Sequence, residues 1–146
     1  MLAQQSILAR AIEIVRLCNL RHVRLRTPAD LPLAEDDMPA VVVDLGEEEV
    51  VRASTGAPAA LEHLLELEVV IFVKAASDAH VRAGEIAQWL LTALEGASLA
   101  PVRARMTLRT IGRNEWLSEQ ELPGVRKVLT FEARYRTAEG APDEII

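Results

Sequence analysis

The sequence predicts an α+β domain: a mixed, mostly antiparallel β-sheet with two α-helices packed on one of its faces. Three observations carry this. First, Leu64 to Ala75 (LLELEVVIFVKA) is apolar at every odd position from Leu65 to Ala75, with Glu66, Glu68 and Lys74 among the even ones. That is the period-two alternation of a strand, and its β-branched and aromatic residues favour a strand over a buried helix. Second, two segments carry helical periodicity. Third, most of the remaining regular stretches alternate like strands. Two helices cannot cover both faces of so wide a sheet, so both belong on one face, and the other is left to solvent or to a neighbour. The predicted order is α-β-β-β-β-α-β-β, with residues 1–137 forming one domain and residues 138–146 a flexible tail.

The first helix is read over Leu2–Leu20. Ile7, Leu8, Ala11, Ile12, Val15 and Cys18 follow the helical stripe, Arg10, Glu13 and Arg16 lie mostly off it, and Asn19 is the stop. His22–Arg26 is a short strand. Thr27–Met38 is a loop, because Pro28, Pro32 and the run Glu35-Asp36-Asp37 oppose regular structure. Pro39–Leu45 and Glu48–Ser54 read as two strands joined through Leu45-Gly46-Glu47 as a hairpin, the second charged at its start like an exposed tip or edge. Thr55–Ala60 is a loop leading into the central strand. Asp78–Glu95 is the second helix, with Asp78 at the N-cap, Ile86, Leu90, Ala93 and Leu94 as its inner stripe, and Gly96 ending it. Trp89 sits beside that stripe and is read as a half-buried rim residue, the alternative being a subunit contact. Val102–Ile111 and Val125–Arg136 alternate again, separated by the long connection Gly112–Gly124.

With 146 residues the chain is long enough for one real core, and half of it is apolar, a globular composition. Aromatics make up 3%, which argues against base stacking or a sugar platform, and the net charge of −6 argues against wrapping on DNA. The distribution of charge says more than the sum. Asp30 to Glu68 contains eleven acids and one base, whereas Pro101 to Arg136 contains eight bases and four acids. If the fold keeps these stretches apart, complementary patches on one chain suit head-to-tail self-association; the alternative is two ordinarily solvated surfaces. The lone Cys18 cannot form an intramolecular disulfide. The longest apolar run, Val69–Val73, is far too short to span a membrane, and no signal peptide is legible. A soluble protein of a reducing cytoplasm is expected.

Chemistry leaves little trace. His22, His63 and His80 form no metal-ligand pair and are read as surface or strand-end residues. There is no nucleophile elbow and no phosphate-binding loop. Glu66 and Glu68 share a strand face without a visible cleft, and Cys18 reads as a small core filler. The run Glu35-Asp36-Asp37 could attract a divalent cation, but such runs are mostly solvated loops. No enzyme, cofactor or metal site is therefore expected. The arginines Arg103, Arg105, Arg109, Arg126, Arg134 and Arg136 are the best candidates for a charged contact surface. Their acidic counterparts are Glu35, Asp36 and Asp37 in the loop, with Glu47, Glu48 and Glu49 in the hairpin.

The layout resembles the bacteriophage tail terminator proteins, the minor tail protein U family of long-tailed phages and prophages. The features that carry the resemblance are the amphipathic first helix, the acidic loop and the strand Met38-Pro39-Ala40-Val41-Val42-Val43. A charged hairpin, a long strand ending Val69-Val70-Ile71-Phe72-Val73-Lys74-Ala75 and a helix ending Leu90-Leu91-Thr92-Ala93-Leu94 follow. A further strand, a variable loop and a closing strand with Tyr135-Arg136-Thr137 complete it. The resemblance implies a structural, non-catalytic protein that caps a finished tail tube as a homo-oligomeric, hexameric ring. It implies the tail tube protein and a head completion or neck protein as partners, DNA passing through the lumen, and no membrane. The implied locations are the host cytoplasm during assembly and then the virion tail. On this reading the acidic Asp30–Glu68 region of one subunit meets the basic C-terminal strands of the next. Two other classes fit the residues: another neck or tail-completion ring component, and an α+β module with a small-ligand pocket between helices and sheet.

Overall fold

The computed structural model describes all residues except 1, 2, 19, 21, 55, 57, 58, 118–123, 139 and 146, and it leaves aside the side chains of 35 and 141–145. Its elements are α1 (Ala3–Leu17), β1 (Arg24–Arg26), β2 (Ala40–Arg52), β3 (Ala60–Lys74), α2 (Ala79–Leu94), β4 (Met106–Ile111), β5 (Glu115–Trp116), β6 (Gly124–Ala138) and β7 (Ala141–Ile145). Two 3-10 turns, Pro28–Asp30 and Glu35–Asp37, lie between β1 and β2.

The sheet runs β1-β2-β3-β6-β4, with β5 and β7 pairing β6 near its two ends. Among the described strands β1 and β2 alone pair in parallel; β3 pairs antiparallel with β6 along its whole length, from Ala60 opposite Ala138 to Lys74 opposite Gly124. The alternation predicted for Leu64–Ala75 is realised as far as Val73, whereas Ala75 lies beyond the strand and is exposed. Leu65, Leu67, Val69, Ile71 and Val73 are buried on one face together with Leu129, Phe131 and Ala133 of β6. Both helices cover that face, α1 through Ala3, Ile7, Ala11 and Val15, and α2 through Ala83, Ile86, Leu90 and Leu94. Each fully buried Leu, Ile or Phe contributes about 1.5–3 kcal/mol. α2 ends before Gly96, whose φ of +73° lies in the left-handed region that favours glycine.

Among the described residues the opposite face carries no α-helix. One end of it is covered by the loop before β2, where Leu33 and Met38 pack on Ala40, Val42 and Phe72. The remainder is the open face.

Several elements differ from the sequence reading, among them β5 within the expected connection Gly112–Gly124 and the start of β3 at Ala60 rather than Leu64. The predicted hairpin at Leu45-Gly46-Glu47 does not exist, and β2 runs through it as one strand. Gly46 and Glu47 stand together opposite Glu66, a bulge between the pairs Leu45–Leu67 and Glu48–Leu65. A long partner strand keeps pairing on both sides, so the extra residue is absorbed without a turn; the reversal instead lies between β2 and β3, after Arg52. β4 starts at Met106 rather than Val102, because Leu99, Val102 and Ala104 bond to one another in a tight loop around Pro101. β1 starts at Arg24 rather than His22. The tail expected to be mobile carries β7, joined to β6 at Thr137–Ile145 and Ala138–Ala141.

The bulge has a consequence for side chains. Before it, Val41 and Val43 face the helices; after it the parity reverses, and Glu48 and Val50 sit opposite Leu65 and His63 on the helix side. Glu47 and Glu49 are left on the open face.

Candidate interface on the open sheet face

The acidic and basic segments are not kept apart. β3 lies directly beside β6, so carboxylates of the first meet arginines of the second within one chain. Arg134 bridges Glu62 (3.4 Å) and Glu132 (3.3 Å), and Arg136 also reaches Glu62 (3.4 Å). Arg109 binds the other oxygen of Glu132 at 2.9 Å, and Arg126 binds Glu115 at 3.1 Å. Four of the six candidate arginines are thus paired internally. This corrects the expectation of separated charge ends. The arginine side chains remain 45–63% exposed, so each pair adds between nothing and about 1 kcal/mol.

The other two arginines lie off the sheet face. Arg103 and Arg105 belong to the loop before β4, which with Arg134 forms a concave basic corner. Arg105 donates to the Gly96 carbonyl at 3.0 Å; Arg103 has no partner among the described residues.

On the β2–β3 side of the open face the balance is reversed. Asp44 stands directly opposite Glu68, and Glu66 opposite Glu132, two cross-strand pairs of like charge. Such pairs are destabilising by a few tenths to about 1 kcal/mol. Glu47, Glu49 and Glu66 line a shallow cleft that also holds Arg109 and Glu132. Among the described residues Asp44, Glu47, Glu49, Glu66 and Glu68 have no basic partner. In the loop, Asp37 accepts from Arg26 at 3.0 Å and lies 3.8 Å from Arg24, while Asp36 is exposed. The side chain of Glu35 lies outside the described residues.

Glu48 departs furthest from its expected place. Turned inward by the bulge, it accepts hydrogen bonds from Gln4 Nε2 (2.9 Å) and from the Tyr135 hydroxyl, and lies 3.6 Å from His63 Nδ1. His63 Nε2 is 2.7 Å from Thr137 Oγ1, and the His63 and Tyr135 rings stack 4.5 Å apart. His63 is thus a buried residue rather than a surface one. Burial, followed by the bond to Glu48 and its charge, pushes the Tyr135 phenol far above its ordinary value. A carboxylate, an imidazole and a hydroxyl in succession is the order of a nucleophilic triad. Thr137, however, has no exposed surface, so what the arrangement does is tie α1, β2, β3 and β6 together. Sequence reasoning missed it because the parity change at Gly46 has no compositional signal.

The fold is therefore of the α+β class, with two helices on one face of a mostly antiparallel sheet and a charged reverse face. No family model matches the chain, and no curated protein matches it. Among solved structures it is similar to a chain in the virion of a native gene transfer agent particle, with a TM-score of 0.55 and 22% identity. The match covers 93% of this chain and 96% of that one, so the two share the fold from end to end.

Proposed function

We propose that this protein is a structural component of a phage-like particle, and within such a particle a tail terminator. In this reading copies of the chain close into a hexameric ring on the end of a completed tail tube. The ring stops polymerisation, offers its outer surface to a head completion or neck protein, and leaves a lumen through which DNA passes. The role is non-catalytic, and the places of action are the host cytoplasm during assembly and the finished virion.

The observation that carries the reading is the near end-to-end fold likeness to a chain of a gene transfer agent virion. The order of elements, read from the sequence, resembles that of the terminator family. A sheet with one face free of α-helices among the described residues also suits a subunit that docks against copies of itself.

The test is electron microscopy of the protein mixed with purified tail tubes, with sedimentation of the protein alone. Tubes capped at one end by a ring, and no longer elongating, are the expected result. Tubes that keep growing and carry no added density would overturn it, and rings seated on the head side instead would mark a neck component.

A further inference from the structure

The internal ion pairs leave two unmatched surfaces, on opposite lateral sides of the sheet. Glu47, Glu49 and Glu66 lie towards β2 at one side. Arg103 and Arg105 lie at the start of β4 on the other. Both surfaces fall at one level, since Glu49 pairs with Leu64, Leu64 with Arg134, and Arg105 immediately precedes the Met106–Ala133 pair. Three strand spacings, roughly 14 Å, separate the two edges. We propose that the acidic β2–β3 side of the open face in one copy docks on the Arg103–Arg105 corner of the next. The inference rests on the ring reading and names its subunit contact.

The occupant is argued from charge and position. Asp44 opposite Glu68, and the neighbouring Glu47, Glu49 and Glu66, carry charge that no cation among the described residues offsets in the isolated subunit, and a basic surface brought from outside relieves that repulsion. The matching basic surface is on the same chain, at the far side of the same sheet. A contact between opposite edges is heterologous: it repeats from copy to copy, and it closes into a ring when the rotation allows. The contact is made by side chains and not by continuing the sheet, because the edge at the start of β4, beside Arg105, is already occupied. Met106 exchanges bonds with Gly96 and Ala97 (2.7 and 2.9 Å), and the Leu108 amide donates to Glu95 (2.6 Å).

The experiment is charge reversal followed by charge exchange. Arg103→Glu with Arg105→Glu, and separately Glu47→Arg with Glu49→Arg, are compared with wild type and with all four changes together. Oligomers are measured by sedimentation at low and high salt, and capping of tail tubes by electron microscopy. Each reversed pair is expected to raise the subunit dissociation constant about tenfold or more, most strongly at low salt, and the exchange to restore it. Circular dichroism checks folding, and the Gln versions of the same sites replace any variant that misfolds. Wild-type rings that both reversals leave intact would overturn the contact while the terminator reading stands. Rings that dissolve in a chelator but tolerate the arginine reversal would mean that the carboxylates hold a divalent cation, and this too overturns it. A wild type that neither forms rings nor caps tubes removes the terminator reading, and the contact with it.

Discussion

The ring of His63 lies parallel to that of Tyr135, with centroids 4.5 Å apart and planes within 7°, and both side chains converge on Glu48. These residues come from three adjacent strands. They lie on the helix side of the sheet and are largely covered, His63 and Tyr135 more than Glu48, and an unmatched polar group there is expensive.

Removing the acceptor should therefore be felt. Glu48→Ala leaves the Tyr135 hydroxyl and the Gln4 amide without their partner, and is expected to destabilise the fold by about 1–3 kcal/mol. Glu48→Gln keeps an acceptor oxygen and should lose less. Urea unfolding of both variants measures the difference, and an alanine variant as stable as wild type would remove Glu48 from the core.

Tyr135 is the one tyrosine of the chain, so its ionisation can be followed without interference from others. Its phenol is raised by burial first and by Glu48 second. The unfolded chain, titrating near pH 10, then loses this proton before the native state does. Stability from this group is fully present below about pH 10 and falls as pH rises above it. The tyrosinate absorbance should appear only above the ordinary range, together with unfolding. A simple titration near pH 10 in the folded protein would contradict this, and Tyr135→Phe should flatten the alkaline slope.

The open-face pairs predict non-additivity. Arg134 and Arg136 share Glu62, whose side chain is 17% exposed while theirs are 63% and 57%. Either alanine variant leaves Glu62 one partner and should cost no more than about 1 kcal/mol. The double variant strands a largely covered carboxylate and should cost more than the sum. A double-mutant cycle from thermal unfolding gives the coupling, and strict additivity would show that the shared carboxylate is irrelevant.

Gly124 is a close-approach position. A Cβ placed there would lie 2.6 Å from the Val73 carbonyl oxygen, with the Leu117 and Met38 side chains 3.4 Å away. The obstacle is backbone, so the strands must separate. Gly124→Ala is expected to cost about 1–3 kcal/mol, read by the shift of the denaturant midpoint.

The sequence by itself determined the helices, the long central strand, and the placing of both helices on one face. The helices and the strand follow from the spacing of apolar side chains, a local property that burial simply enforces, and the placing follows from there being two helices for so wide a sheet. It also located the acidic and basic stretches. Where those stretches met was a matter of register, and only the tertiary structure decided it. The pairing of β3 with β6 set Glu62 beside Arg134 and Arg136, consuming within one subunit much of the complementarity expected between subunits. The one-residue bulge at Gly46 turned Glu48 from the solvent to the core and left Glu47 and Glu49 outside. Three consecutive glutamates are indistinguishable in composition; what separates them is which face of the sheet each Cβ leaves from, and that is settled by how β2 pairs with β3.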